Sequence, residues 1–160
     1  MSCHFDSSNV WLVAEDSESD FVLLRHACSH VTPNLKLQRA KDGIEAKSYL
    51  DGEGIFHNRS AYPLPTVVIS DLNMPRMNGL GLLGWFRDQP DLQIIPFVLM
   101  TGSVSAEEER VARQLKVDEY LMKPGNLVEL VQSVQDVADR YGPKAASHPE
   151  GIHFPEPETK

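Results

Sequence analysis

Cysteine is scarce: Cys3 and Cys28 are the whole complement, with no metal-type spacing. That excludes a disulfide framework and a zinc finger, and both read as reduced thiols. No apolar run approaches the roughly 20 residues that cross a bilayer, and even residues 94–100 fall well short. The opening MSCHFDSSNV lacks the charged-then-apolar pattern of a signal peptide, so a cytoplasmic location is expected, with no membrane partner. Basic residues are outnumbered, 15 Lys plus Arg against 23 Asp plus Glu, for a formal net charge of −8. A chain that grips nucleic acid by neutralising phosphates needs the opposite balance, so no direct nucleic-acid partner is expected. Neither an internal repeat nor a heptad series is visible, which removes solenoids and coiled-coil rods. What is present is 160 residues with 41% hydrophobic content, enough for one domain with a real core.

Five short apolar or β-branched runs alternate with helix-like stretches. Strands are expected near 10–14, 35–39, 66–70, 95–100 and 119–122, and helices near 18–31, 43–51, 80–88, 105–115 and 126–141. Strict alternation of this kind predicts a parallel sheet covered on both faces, as the unbroken run VVIS at 67–70 also suggests. In the last helix Leu127, Leu130, Val131, Val134, Val137, Ala138 and Tyr141 form a stripe that should pack on the sheet. The fourth helix offers chiefly Val111, Ala112 and Leu115 to a core, so it should be loosely held, although Ser105 and Glu108 have capping-box spacing at its start. The segment 52–65, GEGIFHNRSAYPLP, reads as an extended loop, longer than a usual connection. Residues 1–8 read as an N-terminal extension, 9–141 as the domain and the proline-rich 142–160 as a flexible tail.

Ligands of open parallel sheets bind outside the carboxyl ends of the strands, so the residues at those ends deserve scrutiny. The first strand runs into Glu15 and Asp16, the third into Asp71, the fourth into Thr101 and the fifth into Lys123-Pro124. Taken singly each has a bland reading: Asp16 as the N-cap of the first helix, Asp71 as a turn residue, Thr101 as a strand or cap residue. Together they are three acids, a hydroxyl and an ammonium at one edge. Clustered carboxylates repel unless protons or a cation intervene, and an all-oxygen set with room for waters suits Mg²⁺. Asp71 could then attack a phosphoryl donor to form an acyl phosphate, with Lys123 neutralising the transferred oxygens and Thr101 donating its hydroxyl.

The segment DLNMPRMNG at 71–79, with Glu15-Asp16, MTGS at 100–103 and YLMKP at 120–124, resembles the receiver domains of bacterial two-component response regulators over about residues 9–141. The resemblance implies a flavodoxin-like, doubly wound (βα)5 fold with a five-stranded parallel sheet in the order 2-1-3-4-5. It implies that Asp71 is the phosphoacceptor, and that Glu15, Asp16, Asp71 and the backbone carbonyl of Asn73 hold Mg²⁺. Thr101 and Lys123 would bind the phosphoryl group, and Tyr120 would be the aromatic switch coupled to Thr101. The Lys123-Pro124 peptide is expected to be cis. Glu15 stands where family members often have Asp, which keeps the charge, and Ser103 and Asn73 hold positions that tune dephosphorylation. The 52–65 loop is similar to an insertion found in single-domain receivers associated with phytochromes.

The implied partners are a sensor histidine kinase or histidine phosphotransfer protein, a phytochrome-type kinase being one form, and a downstream protein target. A homodimer through the face of helix 4, strand 5 and helix 5 is a further expectation. Val22 and Leu23, off the buried stripe of the first helix, form a candidate kinase-docking patch. His26 and His30 have the i, i+4 spacing of a zinc pair, yet the helical wheel points them to solvent and away from other ligands. Trp85 and Phe86 read as core residues. A haloacid-dehalogenase-type phosphatase would need an acid where Asn73 stands, and a flavin carrier would need a Ser, Thr and Gly-rich phosphate loop where Glu15-Asp16 stand. A phosphorylation-independent scaffold is disfavoured by the intact acceptor, metal and lysine positions. The expected function is therefore that of a stand-alone receiver, a phosphoacceptor signalling protein and not a turnover enzyme.

Overall fold

The computed structural model describes residues 9–142; the expected N-terminal extension and nearly all of the expected tail lie outside the described residues. Strands β1 (Val10–Ala14), β2 (Lys36–Ala40), β3 (Val67–Asp71), β4 (Phe97–Thr101) and β5 (Glu119–Met122) form one parallel sheet in the order 2-1-3-4-5. Helices α1 (Glu18–Val31), α2 (Gly43–Asp51), α3 (Gly79–Arg87), α4 (Ala106–Gln114) and α5 (Leu127–Tyr141) connect and follow the strands. This is the flavodoxin-like doubly wound fold.

Successive strand side chains point to opposite faces, and that period of two divides the core. Leu12, Val68, Phe97 and Leu99 pack with α2 and α3, while Trp11, Val13, Val67, Ile69, Val98 and Met100 pack with α1 and α5. Trp85 and Phe86 join the first of these cores. In α5, Val134 and Val137 are buried and Leu130, Val131, Ala138 and Tyr141 pack partly, but Leu127 at the first turn is exposed, which shortens the expected stripe. Helix α4 buries only Ala112 and carries its own ion pairs, Arg110 with Glu107 and Arg113 with Glu109. Its sparse anchoring matches the expectation, and the Ser105 side chain accepts from the Glu108 N–H at its start.

One bland reading falls away and two expectations need correction. Ser17, not Asp16, is the N-cap of α1, accepting from the Asp20 N–H at 3.3 Å, because three residues, Glu15 to Ser17, separate the end of β1 from the first residue of the helix. The Asp16 side chain is thereby left to the site. Every described peptide bond is trans, Lys123-Pro124 included. The trans form is the ground state even before proline, by about 0.5–1 kcal/mol, and the Lys123 N–H meets the Thr101 carbonyl at 2.7 Å in this conformation. The segment 52–65 is not simply extended, for it contains a 3-10 turn at Gly54–His57. Arg59 ties it down by donating to the carbonyls of Tyr49, Leu50 and Tyr62, so a side chain supplies the partners that the end of α2 lacks. Phe56, Tyr49 and Tyr62 pack with ring centroids 5.1 to 6.0 Å apart, and the Tyr49 hydroxyl donates to Pro63.

A second clamp joins α2 to the loop after β3. Asp42 caps α2 by accepting from the Glu45 N–H at 2.8 Å, and its other oxygen accepts two donors from Arg76 at 2.7 and 2.5 Å. Gly43 is required beside it, since an added Cβ would lie 2.5 Å from the Met77 carbonyl oxygen. Burial pushes the Asp42 pKa up, but the Glu45 N–H and Arg76 outweigh it and hold the carboxyl below its ordinary range.

Arg59→Ala should destabilise the fold by about 1–3 kcal/mol, from the loss of charged hydrogen bonds to carbonyls, read as a lower urea midpoint. A group whose folded pKa is depressed stabilises above its unfolded value and loses that contribution as pH falls through the folded value. Arg76→Ala should therefore cost about 1 kcal/mol at neutral pH, Arg76 being largely exposed. The deficit should shrink below about pH 4, as Asp42 protonates in both proteins, and denaturation at pH 7 and pH 3 compares the two.

Candidate functional site

The parallel register delivers one edge of the sheet as a cluster of chain ends. Glu15 and Asp16 follow β1, Asp71 ends β3, Thr101 ends β4 and Lys123 follows β5. Glu15 and Asp71 are nearly buried, Asp16 is exposed, and one carboxylate oxygen from each lies within 4.8 Å of the others. The Lys123 ammonium stands 2.8 Å from Glu15 Oε2, 2.9 Å from Asp20 Oδ2 and 3.3 Å from Asp71 Oδ2. The sequence-based selection of Glu15, Asp16, Asp71 and Lys123 is thus brought into one site.

The loop after β3 curls back on its own aspartate. Asp71 Oδ1 accepts from the Asn73 N–H at 3.3 Å, and the Gly79 N–H closes the loop on the Leu72 carbonyl at 2.8 Å. A Cβ at Gly79 would sit 2.4 Å from the Asp71 carbonyl oxygen, so glycine alone permits this return. Thr101 is fully buried, and its hydroxyl donates to the Ser103 carbonyl at 2.8 Å, not to Asp71. An added Cβ on Gly102 would meet nothing within 4 Å, which leaves an open approach beside Thr101. Tyr120 is half-buried against the α2 and α3 core, and its hydroxyl is enclosed without a hydrogen-bond partner.

Electrostatics are dominated by negative charge. Burial pushes Glu15 up to about 7, with the Asp71 charge adding to it, against the lowering effect of Lys123 and the Ser17 N–H. For Lys123 burial works downward, but hydrogen bonds to Glu15 and Asp20 and the Asp71 charge prevail and hold the ammonium firmly protonated. A single ammonium does not balance Glu15, Asp16, Asp20 and Asp71. Converging carboxylate oxygens, without nitrogen or sulfur, form a donor set for a hard divalent cation, so the residues fit one.

Two participants escape a reading of the sequence. Asp20, the third partner of Lys123, looks there like an ordinary first-turn acid of α1; its only signal is the one-turn spacing from Asp16. Arg39, at the end of β2 beside β1, donates from Nε to the Glu15 carbonyl at 3.1 Å and from Nη2 to the Asp16 carbonyl at 3.2 Å. It pins the acidic backbone from behind while its guanidinium lies 5.4 Å from the Phe21 ring centre. Val22 and Leu23 are exposed on α1, as expected. His26 and His30 face solvent with their Nε2 atoms 3.3 Å apart, and no third metal-type ligand joins them among the described residues.

Comparison with known proteins bears on this geometry. The sequence pattern described as the response regulator receiver domain matches residues 12–135. The chain is 31% identical to response regulator Rcp1 of Synechocystis sp. over 137 residues, 86% of this chain and 91% of that protein. It superposes on the crystal structure of the phosphorylated cyanobacterial phytochrome response regulator RcpA with a TM-score of 0.78 and 28% identity, covering 86% of this chain and 96% of that one. Against the Mn²⁺-bound form of Rcp1 the TM-score is 0.76 and the identity 30%, with coverage of 86% and 97%. Among the described residues, no helix is long and apolar enough to cross a membrane.

Proposed function

Given that this chain belongs to the response regulator receiver domain family, we propose that it is a cytoplasmic phosphoacceptor switch in which Asp71 takes a phosphoryl group from a histidine kinase or histidine phosphotransfer protein. The observation that carries this reading is the convergence of Glu15, Asp16 and Asp71 within 4.8 Å, with the Lys123 ammonium 3.3 Å from Asp71. Residues 9–141 form the receiver unit in this reading.

Mg²⁺ held by Glu15, Asp16, Asp71 and the Asn73 carbonyl would supply positive charge against the phosphoryl oxygens. Asp71 contributes the nucleophile. Its carboxylate oxygen forms the new bond to phosphorus as the bond from phosphorus to the donor's imidazole nitrogen breaks, and the electron pair leaves with the imidazole. Lys123 neutralises charge on the transferred oxygens, and Thr101 exchanges its bond to the Ser103 carbonyl for one to the phosphoryl group. That movement would alter the packing of Tyr120 and of the sparsely anchored α4, carrying the signal to the face of α4, β5 and α5. Exposed Val104 and Met122 give that region apolar surface for a protein target or a second copy of the chain. On the other side of the site, exposed Val22, Leu23, Leu127 and Val128 support docking of a protein phosphodonor. The likeness to phytochrome response regulators supports a phytochrome-type kinase as that donor.

Incubation with acetyl phosphate and Mg²⁺ should add one labile phosphoryl group by intact mass. Asp71→Asn and a metal-free sample should show none, the variant's thermal melt attesting its fold. An adduct on Asp71→Asn would refute the assignment. The pH dependence follows from Glu15, whose raised pKa favours the protonated form below about 7 while cation binding needs it ionised. Mg²⁺ affinity should therefore fall by up to about tenfold per unit as pH drops below 7, measured by calorimetry at pH 8, 7 and 6.

A further inference from the structure

We propose that Asp20 is a positioning residue that restrains Lys123 in the unphosphorylated protein and gives it up when Asp71 is phosphorylated; the inference rests on reading Asp71 as the phosphoacceptor. An ammonium has three N–H donors and no more. The Lys123 ammonium already faces three carboxylates, at 2.8 Å for Glu15, 2.9 Å for Asp20 and 3.3 Å for Asp71. Among the described residues its hydrogen bonds go to Glu15 and Asp20, with Asp71 in ion-pair range only, so an ammonium drawn onto a phosphoryl group on Asp71 must loosen one of those two bonds.

The three partners are unequal. Glu15 and Asp71 belong to the cluster that fits a cation, whereas Asp20 is not among the carboxylates converging there. The Asp20 side chain is 44% exposed, against 7% for Glu15 and 9% for Asp71. Water can replace the lost ammonium at Asp20 far more cheaply than at either buried acid. Asp20 is also anchored, since its N–H donates to the Ser17 cap and Phe21 beside it is buried. The ammonium consequently lies closer to Glu15 and Asp20 than to Asp71, drawn toward α1. When the phosphoryl group forms, Lys123 exchanges its bond to Asp20 for one to a phosphoryl oxygen, and the barrier to transfer includes breaking that half-solvated pair.

The test follows phosphorylation of the full chain by acetyl phosphate, a donor that needs no docking surface, at saturating Mg²⁺ and by intact mass. Wild type is compared with Asp20→Asn, Asp20→Glu and Glu18→Gln. Asp20→Asn should react about three- to tenfold faster, corresponding to a barrier lower by roughly 1 kcal/mol, and added salt should accelerate wild type more than this variant, because salt screens a half-exposed pair. Asp20→Glu should return the rate toward wild type. Glu18 is the other acid in the first turn of α1, so Glu18→Gln controls for the loss of charge at the helix start and should leave the rate unchanged. An Asp20→Asn rate equal to or below wild type, or an equal gain from Glu18→Gln, would overturn the inference and leave the phosphoacceptor reading intact. Failure of wild type itself to take up phosphate would instead overturn the reading on which it rests.

Discussion

Four carboxylates gather at the carboxyl edge of the sheet around one ammonium that meets three of them, and much of the surrounding architecture makes that imbalance tolerable. Glu15 and Asp71 are nearly buried, so water does little to screen them from each other. Lys123 compensates part of the charge, the Ser17 and Asn73 N–H groups accommodate individual oxygens, and burial still leaves Glu15 with a pKa near neutrality. A site in this condition has a strong affinity for positive charge. The same property suits a cation and a lysine.

Holding such a site together requires rigidity behind it. Arg39 fixes the backbone of Glu15 and Asp16 from the neighbouring strand, and the Asp42–Arg76 pair with Gly43 fastens the loop that follows Asp71. Gly79 lets that loop return onto the strand end. Helix α4 is the contrast, with one buried residue and ion pairs satisfied within its own turns. Firm strands and loops thus lie under the carboxylates, beside a sparsely anchored helix.

The fold and most of the site were legible because they rest on local chemistry. Unbroken apolar strands, helical stripes and cap residues mark the elements, and the strand-end rule gathers Glu15, Asp16, Asp71, Thr101 and Lys123 without coordinates. Legibility failed where a long-range partner decides. The segment 52–65 resembles a free loop until Arg59 reaches the end of α2. Leu127 fits the α5 stripe by spacing, yet the first turn of that helix remains exposed.

The amino-acid order by itself determined the alternation of elements, the parallel sheet, the family and the residue types at the strand ends, since each depends on neighbours within a few positions and on the geometry of a parallel sheet. Only the tertiary structure decided which charges meet. Asp20 and Lys123 are 103 residues apart and Arg39 is 24 residues from Glu15, and nothing in the immediate sequence distinguishes Asp20 or Arg39 from surface charges. Electrostatic pairing depends on distance and burial, and those quantities exist only after the sheet has brought its ends together.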